Sequence, residues 1–144
     1  MSDEIKRILV VDDEEEIRDA FLLALADLRD LAVTAFDNGG AAVEWARETP
    51  PDLVFLDLKM PQMGGVEVLR RLQALYPELP VCIVTAFFES FMRELVAAAD
   101  DGLRFELVRK PIGKDEIISI VRSYFEGPQL LGSRAPRTRE GGNG

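Results

Sequence analysis

Histidine is absent from this 144-residue chain. That excludes a histidine-based catalytic triad, a histidine metal ligand and a phosphohistidine carrier within the chain. Cysteine occurs once, as Cys82 inside an apolar run, which excludes an intrachain disulfide framework and a multi-cysteine metal site. No apolar stretch approaches the ~18 residues needed to span a bilayer. The opening MSDEIKR leads straight into a strand-like run and lacks the apolar region of a signal peptide, so the cytoplasm is the expected location. Positive charge is also short. There are 17 Lys and Arg against 26 Asp and Glu, for a net charge of −9. Residues 127–144 hold three Arg and one Glu, so the acidity is concentrated in residues 1–126. Such a body repels nucleic acid and anionic membranes, and neither is an expected partner.

What is present reads as one globular domain. Hydrophobic residues make up 47% and charged residues 30%, enough for a core and a solvated surface. The length suits a single domain. One composition break is clear. From Gly127 the chain reads GPQLLGSRAPRTREGGNG, with only a leucine pair to bury. The expectation is a domain over 1–126 and a flexible tail or linker start over 127–144.

The body alternates two periods. Short apolar runs at Ile8 to Val11, Leu53 to Leu56, Val81 to Val84 and Phe105 to Val108 suit strands covered on both faces, with Leu31 to Phe36 as a weaker fifth. Helical spacing links Ile17, Phe21, Ala24, Leu25 and Leu28, and again Ile117, Ile120, Val121 and Tyr124. Shorter helical patterns follow Gly39-Gly40 (Ala42, Trp45, Ala46) and Gly64-Gly65 (Val66, Leu69, Leu72). A fifth spans Glu89 to Ala99, with Phe91, Leu95 and Ala98 on one face. Strand then helix, five times over, predicts an α/β fold: a doubly wound, five-stranded parallel sheet with helices on both faces. Function in such sheets sits at the carboxyl ends of the strands.

The residues at those ends differ from the rest. The first strand ends in Asp12-Asp13, the third in Asp57, the fourth in Thr85 and the fifth in Lys110-Pro111. Asp37-Asn38, after the second, reads as loop and helix-start chemistry. Each has an ordinary structural explanation. Acids favour helix N-termini, and the same explains Glu14, Glu15 and Glu16. Asp57 suits a turn, Thr85 a strand end and Pro111 a strand stop. Together, three carboxylates, a hydroxyl and an ammonium at one sheet edge point to chemistry. Clustered carboxylates repel one another, and a hard divalent ion relieves this. Mg²⁺ takes few carboxylates and leaves room for phosphate oxygens. Lys110 adds one positive charge. The expected roles are Asp57 as nucleophile forming an acyl phosphate, Mg²⁺ and Lys110 screening its oxygens, and Thr85 hydrogen-bonding the phosphoryl group.

VDD at 11–13, DLKMPQMGG at 57–65, TA at 85–86 and KP at 110–111 resemble the receiver domain of bacterial two-component response regulators, over about Lys6 to Phe125. The resemblance implies a flavodoxin-like strand order of 2-1-3-4-5. It implies that Asp57 accepts a phosphoryl group from a phosphohistidine on a sensor histidine kinase or histidine phosphotransfer protein. Asp13 and Asp57 would ligate Mg²⁺ directly, Asp12 largely through water, and the Lys59 carbonyl would complete the set. Lys110 would contact the phosphoryl group, with a cis bond to Pro111. Thr85 would move toward the phosphate, and the small Ala86 would leave space beside it.

The chain also departs from that pattern. The aromatic usually three residues before the lysine is Leu107 here, and Phe105 has the same strand parity two residues earlier. Either Phe105 substitutes or the two simply pack on one face. The Thr85-to-Lys110 interval is a few positions longer than usual, with the surplus in 97–104. Both departures fall on the surface formed by the fourth helix, fifth strand and fifth helix, which carries output or dimer contacts in many relatives. Output by a non-standard route is the expectation, and a homodimer is a possible assembly. Phe87 and Phe88 follow Thr85-Ala86. One can serve simply as core; alternatively they form a partner patch or, with Lys59, shield the acyl phosphate. The last gives slow self-dephosphorylation. Self-phosphorylation and that hydrolysis would be the only catalysis.

Three other functions compete. A Mg²⁺-dependent aspartyl phosphohydrolase usually carries Asp-x-Asp after the first strand. A flavin mononucleotide carrier needs a Ser/Thr/Gly-rich loop where this chain has DDEEE. A receiver-shaped module that is never phosphorylated would not require the full set of Asp12, Asp13, Asp57, Thr85 and Lys110.

Overall fold

The computed structural model describes residues 4–126. The tail expected over 127–144 lies outside them. The order is β1 (Lys6–Val11), α1 (Glu15–Leu25), β2 (Leu31–Phe36), α2 (Gly39–Glu48), β3 (Leu53–Leu56), α3 (Gly65–Leu75), β4 (Val81–Thr85), α4 (Met92–Asp100), β5 (Glu106–Arg109) and α5 (Lys114–Phe125). All strand pairs are parallel, and the sheet order is β2-β1-β3-β4-β5.

The period of two along the strands divides the core into two layers. Leu9, Val11, Val54, Leu56, Val81 and Ile83 face α2, α3 and α4. Ile8, Val10, Leu53, Phe55, Cys82 and Val84 face α1 and α5. Phe21 of α1 meets Phe55 of β3, ring centroids 4.7 Å apart. Strands β1, β3 and β4 are buried on both faces over the apolar stretches that define them, so their sequence runs lack alternation.

The outer strands correct the expectation of two-sided cover. Most of β5 is exposed and β2 is half-buried. Phe105 lies just before β5 and packs into the layer of α2 to α4. Leu107 pairs with Ile83, which places it on the same sheet face, yet it is 42% exposed. The shared parity therefore holds, but Leu107 does not pack into the core.

The expected helix over Glu89 to Ala99 is two pieces. A 3₁₀ turn over Phe88–Phe91 precedes α4. The surplus segment before β5 becomes the last turn of α4 plus a cap. Gly102 has φ +93, and the Leu103 amide returns to the Ala98 carbonyl. Gln73 then fastens this cap to α3. Its amide donates to the Leu79 and Arg104 carbonyls and accepts from the Arg104 N–H. Arg70 of α3 pairs with Asp101 at 2.8 Å.

Candidate functional site

Strand register builds the site. Val11 is level with Leu56, so the next residues, Asp12 and Asp57, leave adjacent strands together. The Asp57 amide donates to the Val11 carbonyl at 2.9 Å, and the Asp12 amide to the Phe36 carbonyl at 3.1 Å. Leu56 is level with Ile83 and Thr85 with Arg109, so β4 and β5 deliver Thr85 and Lys110 to the same edge. The Lys110 amide donates to the Thr85 carbonyl at 3.0 Å, and the Lys110–Pro111 bond is cis.

Three acids converge there. Each of Asp12, Asp13 and Asp57 offers an oxygen, and these lie within 4.8 Å of one another. Asp12 and Asp57 are buried, whereas Asp13 is exposed. Burial raises the Asp57 pKa from 3.8 to about 6, and the Asp12 charge adds to this. Burial also raises the Asp12 pKa, against the Glu14 amide and Lys110, which favour its charged form. Lys110 Nζ sits 3.0 Å from Asp12 Oδ2 and 3.7 Å from Asp57 Oδ2. Burial pulls its pKa down, but the hydrogen bond to Asp12 and the acidic charges outweigh that and hold it above the ordinary lysine value. The pocket thus combines buried, mutually repelling carboxylates with one ammonium. This hard-oxygen donor set fits a small divalent cation.

Glu14 requires a correction. At the sequence level it reads, like Glu15 and Glu16, as helix-start chemistry. Glu14 does occupy the N-cap of α1, but its side chain makes no capping bond. Its Oε1 lies 3.2 Å from Lys110 Nζ. Glu15 and Glu16 do lie in the first turn of α1. The missed signal is backbone direction: Asp12 Oδ1 accepts the Glu14 N–H, which turns the chain back over the strand end. Asn38 behaves as expected, its Oδ1 accepting the Ala41 N–H at 2.8 Å to start α2.

Thr85 is fully buried, and its Oγ1 accepts the Phe87 N–H at 3.2 Å. Ala86 is exposed. Neither phenylalanine of the pair belongs to the core, contrary to the option that one would. Lys59 Nζ lies 4.5 Å from the Phe87 ring centroid, and Arg109 Cζ 4.1 Å from that of Phe88. Arg109 also meets Glu89 at 3.3 Å. Lys59 and Phe87, from the loops after β3 and β4, therefore touch beside the acid cluster. Phe105 and Leu107 lie below this edge, before and within β5, with Leu107 level with Ile83 two residues short of Thr85.

Tight backbone packing sets the Asp57 loop. Gly65 opens α3 with its amide on the Leu58 carbonyl at 2.9 Å, and a Cβ there would collide with the Asp57 carbonyl. The Leu58 amide donates to Asp57 Oδ1 at 2.9 Å, fixing the carboxylate and leaving Oδ2 toward Lys110.

Fold and pocket define the class: a doubly wound α/β module whose chemistry is an acid cluster and one lysine at the carboxyl edge of its sheet. Residues 8–122 match the family described as the response regulator receiver domain. The chain is 34% identical over 127 residues to the response regulator GacA of Pseudomonas aeruginosa, covering 87% of this chain and 58% of that protein. It is 35% identical to the DNA-binding transcriptional regulator NtrC of Escherichia coli, over 85% of this chain and 26% of that one. It therefore spans little more than half the length of the first relative and about a quarter of the second. Among solved structures, a CheY-like receiver domain protein from Methanospirillum hungatei superposes with a TM-score of 0.74 at 23% identity, over 88% of this chain and 99% of that one. The chain belongs to the response regulator receiver domain family of two-component systems. Among the described residues, no helix is long and apolar enough to cross a membrane.

Proposed function

We propose that residues 1–126 form a phospho-accepting receiver module in which Asp57 is the acceptor. The observation that carries this is the Asp57 carboxylate itself. It is buried at the sheet edge, within 4.8 Å of the Asp12 and Asp13 oxygens and 3.7 Å from an ammonium. An Asp57 oxygen attacks the phosphorus of a phosphohistidine on a kinase or phosphotransfer protein. The P–N bond breaks, its electron pair leaves on the imidazole, and an acyl phosphate forms. Water later attacks the same phosphorus, the P–O bond to Asp57 breaks, and inorganic phosphate departs.

Asp12, Asp13, Asp57 and the Lys59 carbonyl are the residues that would hold Mg²⁺. When bound, it supplies positive charge to the phosphoryl oxygens. Lys110 neutralises the remaining charge, and the Thr85 hydroxyl donates to the phosphoryl group as it arrives. In the metal-free pocket Asp57, with a pKa near 6, is mostly ionised at neutral pH. A cytoplasmic setting fits a histidine kinase as donor. Output passes to another domain or protein, since the acidic body is unsuited to nucleic acid.

The test is incubation with Mg²⁺ and acetyl phosphate or phosphoramidate, followed by intact-mass measurement. One phosphoryl group is expected, lost in Asp57→Asn and abolished by chelation. Uptake that persists in Asp57→Asn refutes the assignment.

A further inference from the structure

Lys110 is surrounded by more negative charge than the proposed transfer uses. Its Nζ has Asp12 at 3.0 Å, Glu14 at 3.2 Å and Asp57 at 3.7 Å. Asp12 and Asp57 are buried members of the acid cluster. Glu14 is not in that cluster, and its side chain is 61% exposed. It stands at the N-cap of α1 but leaves the helix amides unserved and reaches to the end of β5 instead.

An ammonium has three protons to donate. Asp12 and Glu14 hold Nζ at hydrogen-bond distance while Asp57 lies beyond it at 3.7 Å, so drawing Nζ fully onto a phosphoryl oxygen on Asp57 loosens one of those two bonds. Releasing Asp12 would leave a buried charge without its partner, which is costly. Releasing Glu14 returns an exposed carboxylate to water, which costs little. Glu14 is therefore the group that gives way.

We infer that Glu14 is a positioning residue: it holds Lys110 at the rim of the pocket and competes with the incoming phosphoryl group for it. The inference rests on the reading of Asp57 as phosphoryl acceptor. An exposed pair of this kind sets the scale, so Glu14→Gln is expected to raise the rate of uptake from acetyl phosphate by about two- to fivefold at saturating Mg²⁺.

Two controls separate this from a general charge effect. Glu15→Gln removes the same charge from the next residue, which makes no ion pair among the described residues. It should leave the rate unchanged. In a Lys110→Met background, Glu14→Gln should give no acceleration. A second measurement needs neither metal nor phosphate. Metal-free protein is treated with acetic anhydride, and labelling of Lys110 is followed by peptide mass. Labelling is expected to be faster in Glu14→Gln than in the wild type, with Glu15→Gln matching the wild type. Equal acceleration in Glu15→Gln, acceleration that survives Lys110→Met, slower uptake in Glu14→Gln, or unchanged Lys110 labelling would each overturn the positioning role. No uptake by the wild-type protein would overturn the acceptor reading itself, and the labelling result would still report whether Glu14 restrains Lys110.

Discussion

Replacing Asp57 by asparagine should make the metal-free protein more stable at neutral pH, although it removes the central acid of the site. The folded-state pKa of Asp57 is raised from 3.8 to about 6 by burial and by Asp12. Two pKa units correspond to about 3 kcal/mol, which the folded protein bears whenever Asp57 is ionised. Asparagine keeps an oxygen for the Leu58 N–H and carries no charge. The gain should fall within about 1–3 kcal/mol, the full figure being a ceiling because water reaches the pocket mouth. The sign follows from linkage. A carboxyl whose folded pKa exceeds its unfolded value binds its proton more tightly when folded. Its contribution favours folding most below about pH 4 and is lost as pH rises through about 6. The asparagine does not titrate. Its advantage over wild type should therefore be complete above pH 7 and fade toward zero near pH 4. Urea unfolding in chelator at pH 7.5 and pH 4.5 measures both ends. Adding Mg²⁺ should narrow the gap at pH 7.5, because a ligand of the native state stabilises the protein that binds it better. An asparagine variant less stable at pH 7.5, or one with the same advantage at both pH values, would refute the electrostatic reasoning.

On the proposal that the Lys59–Phe87 contact shields the acyl phosphate, Phe87→Ala and Lys59→Ala should each shorten the phosphoryl lifetime several-fold. Decay of the phosphorylated mass after donor removal measures it, and an unchanged lifetime in both would refute shielding. Gln73→Leu should cost about 1–3 kcal/mol in urea unfolding, since it strands the Arg104 amide and the Leu79 and Arg104 carbonyls. A loss below about 0.5 kcal/mol would show those groups finding other partners. Gly65→Ala should destabilise the fold by about 1–3 kcal/mol or more, because its Cβ meets the Asp57 and Leu58 backbone rather than a flexible side chain. Retention of full stability and full phosphoryl uptake would mean that the loop yields more easily than its packing suggests.

The parts of this fold legible in the sequence are those governed by period. Ile8 to Val11, Leu53 to Leu56 and Val81 to Val84 are continuous apolar runs because two helical layers cover them, and that pattern leaves little room for another topology. The edge strand was harder to read. Leu107 and Phe105 look equivalent by parity, but a strand with one neighbour need not bury what its parity offers. Leu107 stays open while Phe105, outside the strand, is partly covered. The segment before β5 read as surplus length because a left-handed glycine cap and a buried glutamine fastening it leave only Gly102 and Gln73 as traces, far apart in the sequence.

Glu14 shows a different limit. An acidic residue at the start of a helix has a sufficient local explanation, and nothing in DDEEE separates the first glutamate from the next two. The distinction arises only from the sheet. The order β2-β1-β3-β4-β5 brings the ends of β1 and β5 toward one pocket from strands that are not neighbours, and the Asp12 to Glu14 turn aims one carboxylate across the gap. Strand-end residues can be listed from a βα pattern because each strand announces its own end. Pairings between strand ends depend on which strands converge and how each loop turns. The acids and the lysine were accordingly visible as a set, while the contact that restrains the lysine became visible only once residues 14 and 110, 96 positions apart, were brought within 3.2 Å.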